Sequence, residues 1–200
     1  MLMAAGLTYE DIDKLDKATV AIAGLGGIGS HVAALLVRAG IKQLTLIDFD
    51  IVDHSNLERQ YYFIDQVGQK KVEALFHTLK KINPLLSCNC HDTVIVEDNI
   101  ETLIKNGDII VEALDMSQTK TMFISKCLQL FPTKKIVGVS GVAGVNDCEL
   151  ISIEKISENL FIVGDFISEV SPHNKLISTR VCAAASMMAH LVIQIILGLK

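Results

Sequence analysis

Tryptophan is absent and aromatic residues are few, a scarcity that excludes no function class. The missing cysteine motifs exclude more. Cys88, Cys90, Cys127, Cys148 and Cys182 make an odd set with no Cys-x-x-Cys pair, which argues against a disulfide framework and against a four-cysteine zinc site. Cys88-Asn89-Cys90-His91 is too cramped to build a tetrahedral site from one segment, so no zinc site is expected. A reducing, cytoplasmic setting follows as the simpler expectation. The first 17 residues are short in apolar run and then acidic, which is unlike a secretory signal. Only three prolines interrupt a chain that is half hydrophobic, so a disordered or fibrous polymer is excluded. A net charge of -5 lacks the basic excess that phosphate neutralisation needs, and no nucleic-acid partner is expected.

One apolar stretch resembles a membrane span in length. Val181 to Leu199 carries no charge, but Ser186, His190 and Gln194 interrupt it and Arg180 and Lys200 bound it. It reads as a buried C-terminal core helix, with no membrane partner.

At 200 residues, without repeats or linkers, one domain over 1–200 is expected. A short acidic helix is predicted over 8–16, and Thr19–Ala23 has the pattern of a strand buried on both faces. A helix follows from Gly29 to Ala39, a strand from Gln43 to Asp48, and a helix from Gly68 to Ile82, which Asn83-Pro84 stops. Further on, the pattern predicts strands at 90–96, Asp108–Glu112 and Lys135–Ser140, helices at 98–105 and Ser117–Leu130, and an antiparallel strand at Cys148–Ile153. Strands alternating with helices imply parallel βαβ units. The expected class is α/β: a Rossmann-like, doubly wound, mostly parallel sheet with an antiparallel strand near the C-terminus.

The glycines Gly24, Gly26, Gly27 and Gly29 fall between a buried strand and a helix. There, backbone N–H groups and a helix N-terminus can approach a nucleotide. Asp48 ends the next strand, about 20 residues on, where a carboxylate accepts from ribose hydroxyls. Taken alone, this pattern leaves NAD and ATP open. Asn56, Arg59 and Gln60 follow Asp48 closely, and Lys71 stands near the start of the next helix. Two cations and two carboxamides beside a nucleotide suit a triphosphate attacked at phosphorus. Asp115 follows the buried strand Ile109–Val111, at the strand end that faces the ligand crevice. It can hold Mg²⁺ or cap the next helix.

This constellation resembles the ThiF/MoeB/HesA superfamily of ubiquitin-activating-type enzymes. The resemblance runs from about Ala18 onward, and six motifs carry it in the family's order. They are the Gly24–Gly29 loop with Ser30, Asp48-Phe49-Asp50, Ser55 to Gln60, Val67 to Val72, Ile82-Asn83-Pro84, and Ala113-Leu114-Asp115. The Gly141–Gly144 stretch and the Gly164-Asp165 turn look most like the short ThiF subfamily of thiamine thiazole synthesis. The resemblance implies an ATP-dependent adenylyltransferase acting on the C-terminal glycine carboxylate of a ubiquitin-like sulfur carrier ending in Gly-Gly. Asp48 would bind the ribose, and Asn56, Arg59, Gln60 and Lys71 the phosphates. Asp115 would hold Mg²⁺, with Arg59, Lys71 and Asp115 as the catalytic set. It also implies a homodimer. A related tRNA threonylcarbamoyladenosine dehydratase is the alternative, ahead of an NAD-dependent oxidoreductase or a non-catalytic carrier-binding subunit.

The chain departs from the family in several places. It lacks the paired zinc cysteines of larger members. No cysteine lies in the crossover segment Gly164–Ser178, and Cys182 is read as a small buried residue of the last helix. Residues 1–17 contain no arginine to lend to a neighbouring subunit. Lys120 stands where many relatives have arginine, keeping the charge but not the bidentate geometry.

Overall fold

Alternation of doubly buried apolar strands with amphipathic helices produces a layered α/β structure. The computed structural model describes residues 6–200. In chain order, α1 (Tyr9–Lys17), β1 (Thr19–Ala23), α2 (Gly27–Ala39), β2 (Gln43–Asp48), α3 (Lys71–Ile82) and β3 (Ser87–Asp92) make the first half. Next come α4 (Ile100–Ile104), β4 (Ile109–Glu112), α5 (Ser117–Leu130), β5 (Lys135–Val139), the hairpin β6 (Ser152–Ser157) and β7 (Leu160–Gly164), and α6 (Ser178–Ile196).

The seven strands form one sheet in the order β3-β2-β1-β4-β5-β7-β6. Every pairing is parallel except β6 with β7, as the mostly parallel expectation requires. Successive strand residues face opposite layers. Val20 and Ile22 join the core under α2, α3 and α6. Ala21 and Ala23 join the smaller core under α4 and α5. Thr8 starts α1 with a capping box, its hydroxyl accepting from the Asp11 amide. α6 is long and apolar enough to cross a membrane, and here it lays a buried face, including Val181, Ala185 and Met188, against α2 and the sheet.

Several predicted boundaries need correction. The third strand runs over Ser87–Asp92 rather than 90–96, because the apolar residues Val94–Val96 belong to a loop that buries only Ile95. α3 begins at Lys71, not Gly68, since residues 64–66 close a separate 3-10 turn. α2 begins at Gly27. Cys148–Leu150 is a 3-10 turn and the antiparallel strand starts only at Ser152. β7, which no expectation assigned, continues the parallel run beside β5. α6 starts at Ser178 and takes Arg180 inside it.

Candidate nucleotide site

Parallel order places the C-terminal ends of β1, β2 and β4 side by side, the edge at which open α/β sheets bind ligands. A concavity of about 250 Å³ lined by Leu15, Gly40, Lys42 and Pro84 lies at the opposite, N-terminal edge of β2 and β3. Topology and the glycine loop both favour the C-terminal edge.

The loop is built by close backbone approach. Gly24 has φ +88°, and a Cβ there would lie 2.5 Å from the Ala113 carbonyl oxygen; one at Gly29 would lie 1.9 Å from the Gly24 carbonyl oxygen. Only glycine fits either position. Ala113 leads directly to Asp115, so the turn after β4 is seated against the turn after β1. Gly26 and Gly27 remain partly accessible at the rim.

Asp48 is tied into this loop. Its Oδ2 accepts from the Leu25 amide at 2.6 Å and its Oδ1 from the Asp50 amide at 2.8 Å. A carboxylate has about four acceptor positions, so each oxygen keeps capacity for a ribose hydroxyl.

Residues 53–62 form a strap over the loop. Ser30 Oγ donates to the Gly26 carbonyl and accepts from the Tyr61 amide, and the buried Tyr62 hydroxyl donates to the Leu25 carbonyl at 2.9 Å. Burial and the charges of Asp48 and Asp50 push that phenol far above its ordinary range, so it stays a neutral donor. The strap brings Arg59 and Gln60 over Gly27 and Gly26. Arg59 is oriented by the Ser55 carbonyl at 2.9 Å and by Glu58 at 2.6 Å. Gln60 is buried, and its Oε1 has no hydrogen-bond partner among the described residues. An orphaned acceptor at the rim of a glycine loop fits a bound donor such as a ligand hydroxyl or amine. Asn56 spends its carboxamide oxygen on the Asp53 amide, which leaves the amide nitrogen for an anion.

Lys71 is buried, and its Nζ lies 2.7 Å from Asp50 Oδ2, a half-exposed carboxylate. Asp50 is a site component that the sequence did not single out beyond its motif. Its link to Lys71 crosses two elements and leaves no local signal. Asp115 is exposed, and Met116 rather than Asp115 is the N-cap of α5, so the capping role weighed for Asp115 is not the one it fills. No hydrogen bond to its carboxylate occurs among the described residues, which leaves it able to hold a cation. Mg²⁺ fits this oxygen donor at a phosphate site.

Lys120 is committed to contacts inside the protein. Its Nζ donates to both oxygens of the buried Glu112, at 2.6 and 2.7 Å, and to the Val139 carbonyl at 2.9 Å. Its three donors are thereby spent inside the protein. Burial raises the Glu112 carboxyl, with Lys120 opposing. Cys182 is half-buried and lies 3.4 Å from His31 Nε2, a partner the sequence did not reveal. Burial raises the thiol and lowers the imidazole, and both shifts oppose a thiolate–imidazolium pair. Among the described residues, no three His, Cys, Asp or Glu side chains gather as a metal cluster.

Fold and loop together define a Rossmann-like α/β protein with a candidate nucleotide site at the C-terminal edge of its sheet. The sequence matches the ThiF family over residues 2–200, and the chain belongs to that family. It is 30% identical to a tRNA threonylcarbamoyladenosine dehydratase of Haemophilus influenzae, covering 76% of this chain and 59% of that protein. It is 33% identical to a molybdopterin-synthase adenylyltransferase of Salmonella typhimurium, covering 71% and 56%. Ubiquitin-like modifier-activating enzyme 5 of Gallus gallus is 33% identical over 71% of this chain and 39% of its own length. The chain thus spans about 39 to 59% of these relatives. Among solved structures, the E. coli dehydratase TcdA in complex with ATP superposes with TM-score 0.86 at 21% identity, over 95% of this chain and 90% of that one. E. coli MccB with ATP gives 0.74 at 26% identity, over 95% and 59%.

Proposed function

We propose that the chain is an ATP-dependent adenylyltransferase that activates the C-terminal glycine carboxylate of a ThiS-like sulfur carrier for thiamine thiazole synthesis. The observation that carries the reading is the strap of residues 53–62, which holds Arg59 and the unpartnered Gln60 over the glycine loop, with Asp48 bonded into the same loop. A dinucleotide enzyme needs no such pair of cations beside its ribose carboxylate, which speaks against NAD.

ATP binds with its ribose on Asp48 and its phosphates along Gly26 and Gly27, beside the amide nitrogens of Asn56 and Gln60, while Gln60 Oε1 is left to accept from a ligand hydroxyl or amine. The carrier carboxylate attacks the α-phosphorus, the bond to pyrophosphate breaks, and an acyl adenylate remains. Arg59 and Lys71 offset the charge that develops on the phosphates, and their acid partners Glu58 and Asp50 keep them in position beforehand. Asp115 would hold Mg²⁺, which would supply Lewis-acid charge neutralisation at the phosphates. Positioning and charge supply the catalysis, and no protein nucleophile is needed. Lys120 takes no part in phosphate binding on this reading. A homodimer is part of the proposal by likeness to the family.

Carrier-dependent exchange of labelled pyrophosphate into ATP, with a ThiS-like protein ending in Gly-Gly, tests it. Absence of exchange with such carriers would overturn the reading. The dehydratase likeness favours a second one, in which turnover of ATP requires tRNA and no carrier. The same assay with tRNA in place of carrier separates the two.

A further inference from the structure

β3 forms one edge of the sheet, pairing among the described residues only with β2, and it carries two cysteines that the candidate nucleotide site does not use. Residues two apart on a strand share a face, and the sulfurs of Cys88 and Cys90 lie 3.9 Å apart. That face packs on α3, where Cys90 Sγ is 3.7 Å from the Val72 carbonyl. Cys90 is exposed and Cys88 half-buried. Their acidities diverge in the same sense: the contact with Cys88 lowers the Cys90 thiol, and the same contact, with burial, raises Cys88. An accessible sulfur that ionises first, beside a shielded one, has the arrangement of an attacking and a resolving thiol.

We propose that Cys88 and Cys90 form a reversible thiol–disulfide site, closed by low-molecular-weight disulfides such as oxidised glutathione, and that closure weakens nucleotide binding. The Cys90 thiolate attacks one sulfur of the oxidant, whose S–S bond breaks to release one small thiolate and leave a mixed disulfide. Cys88 gives its proton to solvent and attacks Cys90 Sγ, expelling the second small thiolate. The protein dithiol loses two electrons and the oxidant gains them as two thiols.

Extended backbone sets Cα atoms two residues apart at about 6.6 Å, near the upper end of the roughly 4.4–6.8 Å that a disulfide spans. Closure therefore has to contract β3, which an edge strand paired on one side allows. The strained ring is readily reopened by thiols, as in the transient disulfides of reducing compartments. Contraction reaches the site through the register. Cys90 pairs with Leu46 and Asp92 with Asp48, while Asp92 also holds Lys70, the residue before Lys71. This coupling rests on the nucleotide-site reading above; the disulfide does not.

The test equilibrates the full chain in a series of reduced and oxidised glutathione, alkylates the remaining thiols and maps them by peptide mass. ATP affinity is measured by calorimetry at both ends of the series. The expected result is a Cys88–Cys90 disulfide that forms and reopens with the ratio, with a several-fold weaker ATP dissociation constant in the closed form. Cys88→Ser should stop at a glutathione adduct on Cys90, and Cys90→Ser should give neither product nor affinity change. Failure of wild type to close at this pair overturns the proposal, as does an affinity shift that survives in Cys90→Ser. An ATP affinity unchanged by closure overturns the coupling. A reduced protein that binds no ATP refutes the nucleotide reading and the coupling with it, while the peptide map still decides the disulfide.

Discussion

Asp165→Asn puts the architecture of the C-terminal half to a quantitative test. Asp165 and Arg180 are each 2% exposed at the side chain, with Arg180 Nη2 2.7 Å from Asp165 Oδ2. The substitution keeps the volume but strands a buried guanidinium. The carbonyls of Asn146 and Asp147 are its remaining acceptors among the described residues, and its Nε already lacks one. Removing one partner of a buried pair costs about 3–5 kcal/mol, a large share of the roughly 5–15 kcal/mol that holds a domain folded. Adding Arg180→Met to Asp165→Asn should recover part of the loss, because no uncompensated charge is left. Acid supplies a second axis. Burial alone would raise the Asp165 carboxyl, but the Ser168 and Ile167 amides, the Ser168 hydroxyl and Arg180 hold it at about 2, below the ordinary 3.8. A depressed folded-state pKa contributes stability that is complete above 3.8 and is lost as pH falls through about 2. Urea unfolding followed by circular dichroism should show the widest gap between wild type and Asp165→Asn at neutral pH, narrowing between 3.8 and about 2. A variant within about 1 kcal/mol of wild type at neutral pH, or a gap that acid leaves unchanged, refutes the reasoning.

Arg59→Ala and Lys71→Ala should each lower carrier-dependent pyrophosphate exchange by about two orders of magnitude or more while circular dichroism stays unchanged; near-normal exchange in either removes that residue from the chemistry. Asp48→Ala should weaken apparent ATP affinity more than maximal rate, since ribose contacts are alike in ground and transition states, so that saturating ATP largely restores turnover. A collapsed maximal rate at unchanged affinity would give Asp48 another role. Cys182→Ala should retain exchange, because burial opposes a thiolate beside His31 and the proposed adenylation needs no thiol; loss of exchange, or a reducible carrier adduct at Cys182, would make it a covalent residue.

How much of this was legible in the sequence depends on whether a feature is local. β1, β2 and β4 are buried on both faces and read as continuous apolar runs, so their positions follow from composition alone. β3 is an edge strand with the sequence Ser-Cys-Asn-Cys-His-Asp, mostly exposed and without an apolar run, and the neighbouring Val94–Val96 draws the assignment away from it. Every residue of β6 is exposed, so burial imposes no pattern there, and its hairpin partner β7 lies in a stretch to which the sequence pattern assigns no element. The glycine loop and Asp48 are local motifs and were accessible. The links of Lys71 to Asp50, Lys120 to Glu112 and Cys182 to His31 join separate elements, and only the folded chain brings them together.

The contacts at Gly24 and Gly29 bear on how such a protein can be changed. Main chain rests on main chain there, so the floor of the candidate nucleotide groove is set by atoms that every residue shares. Side chains at the rim can be exchanged without shifting that floor, whereas a methyl at Gly24 meets the Ala113 carbonyl of the turn after β4 and one at Gly29 meets the Gly24 carbonyl of the turn after β1. A directed-evolution library on this scaffold should therefore leave those two codons untouched.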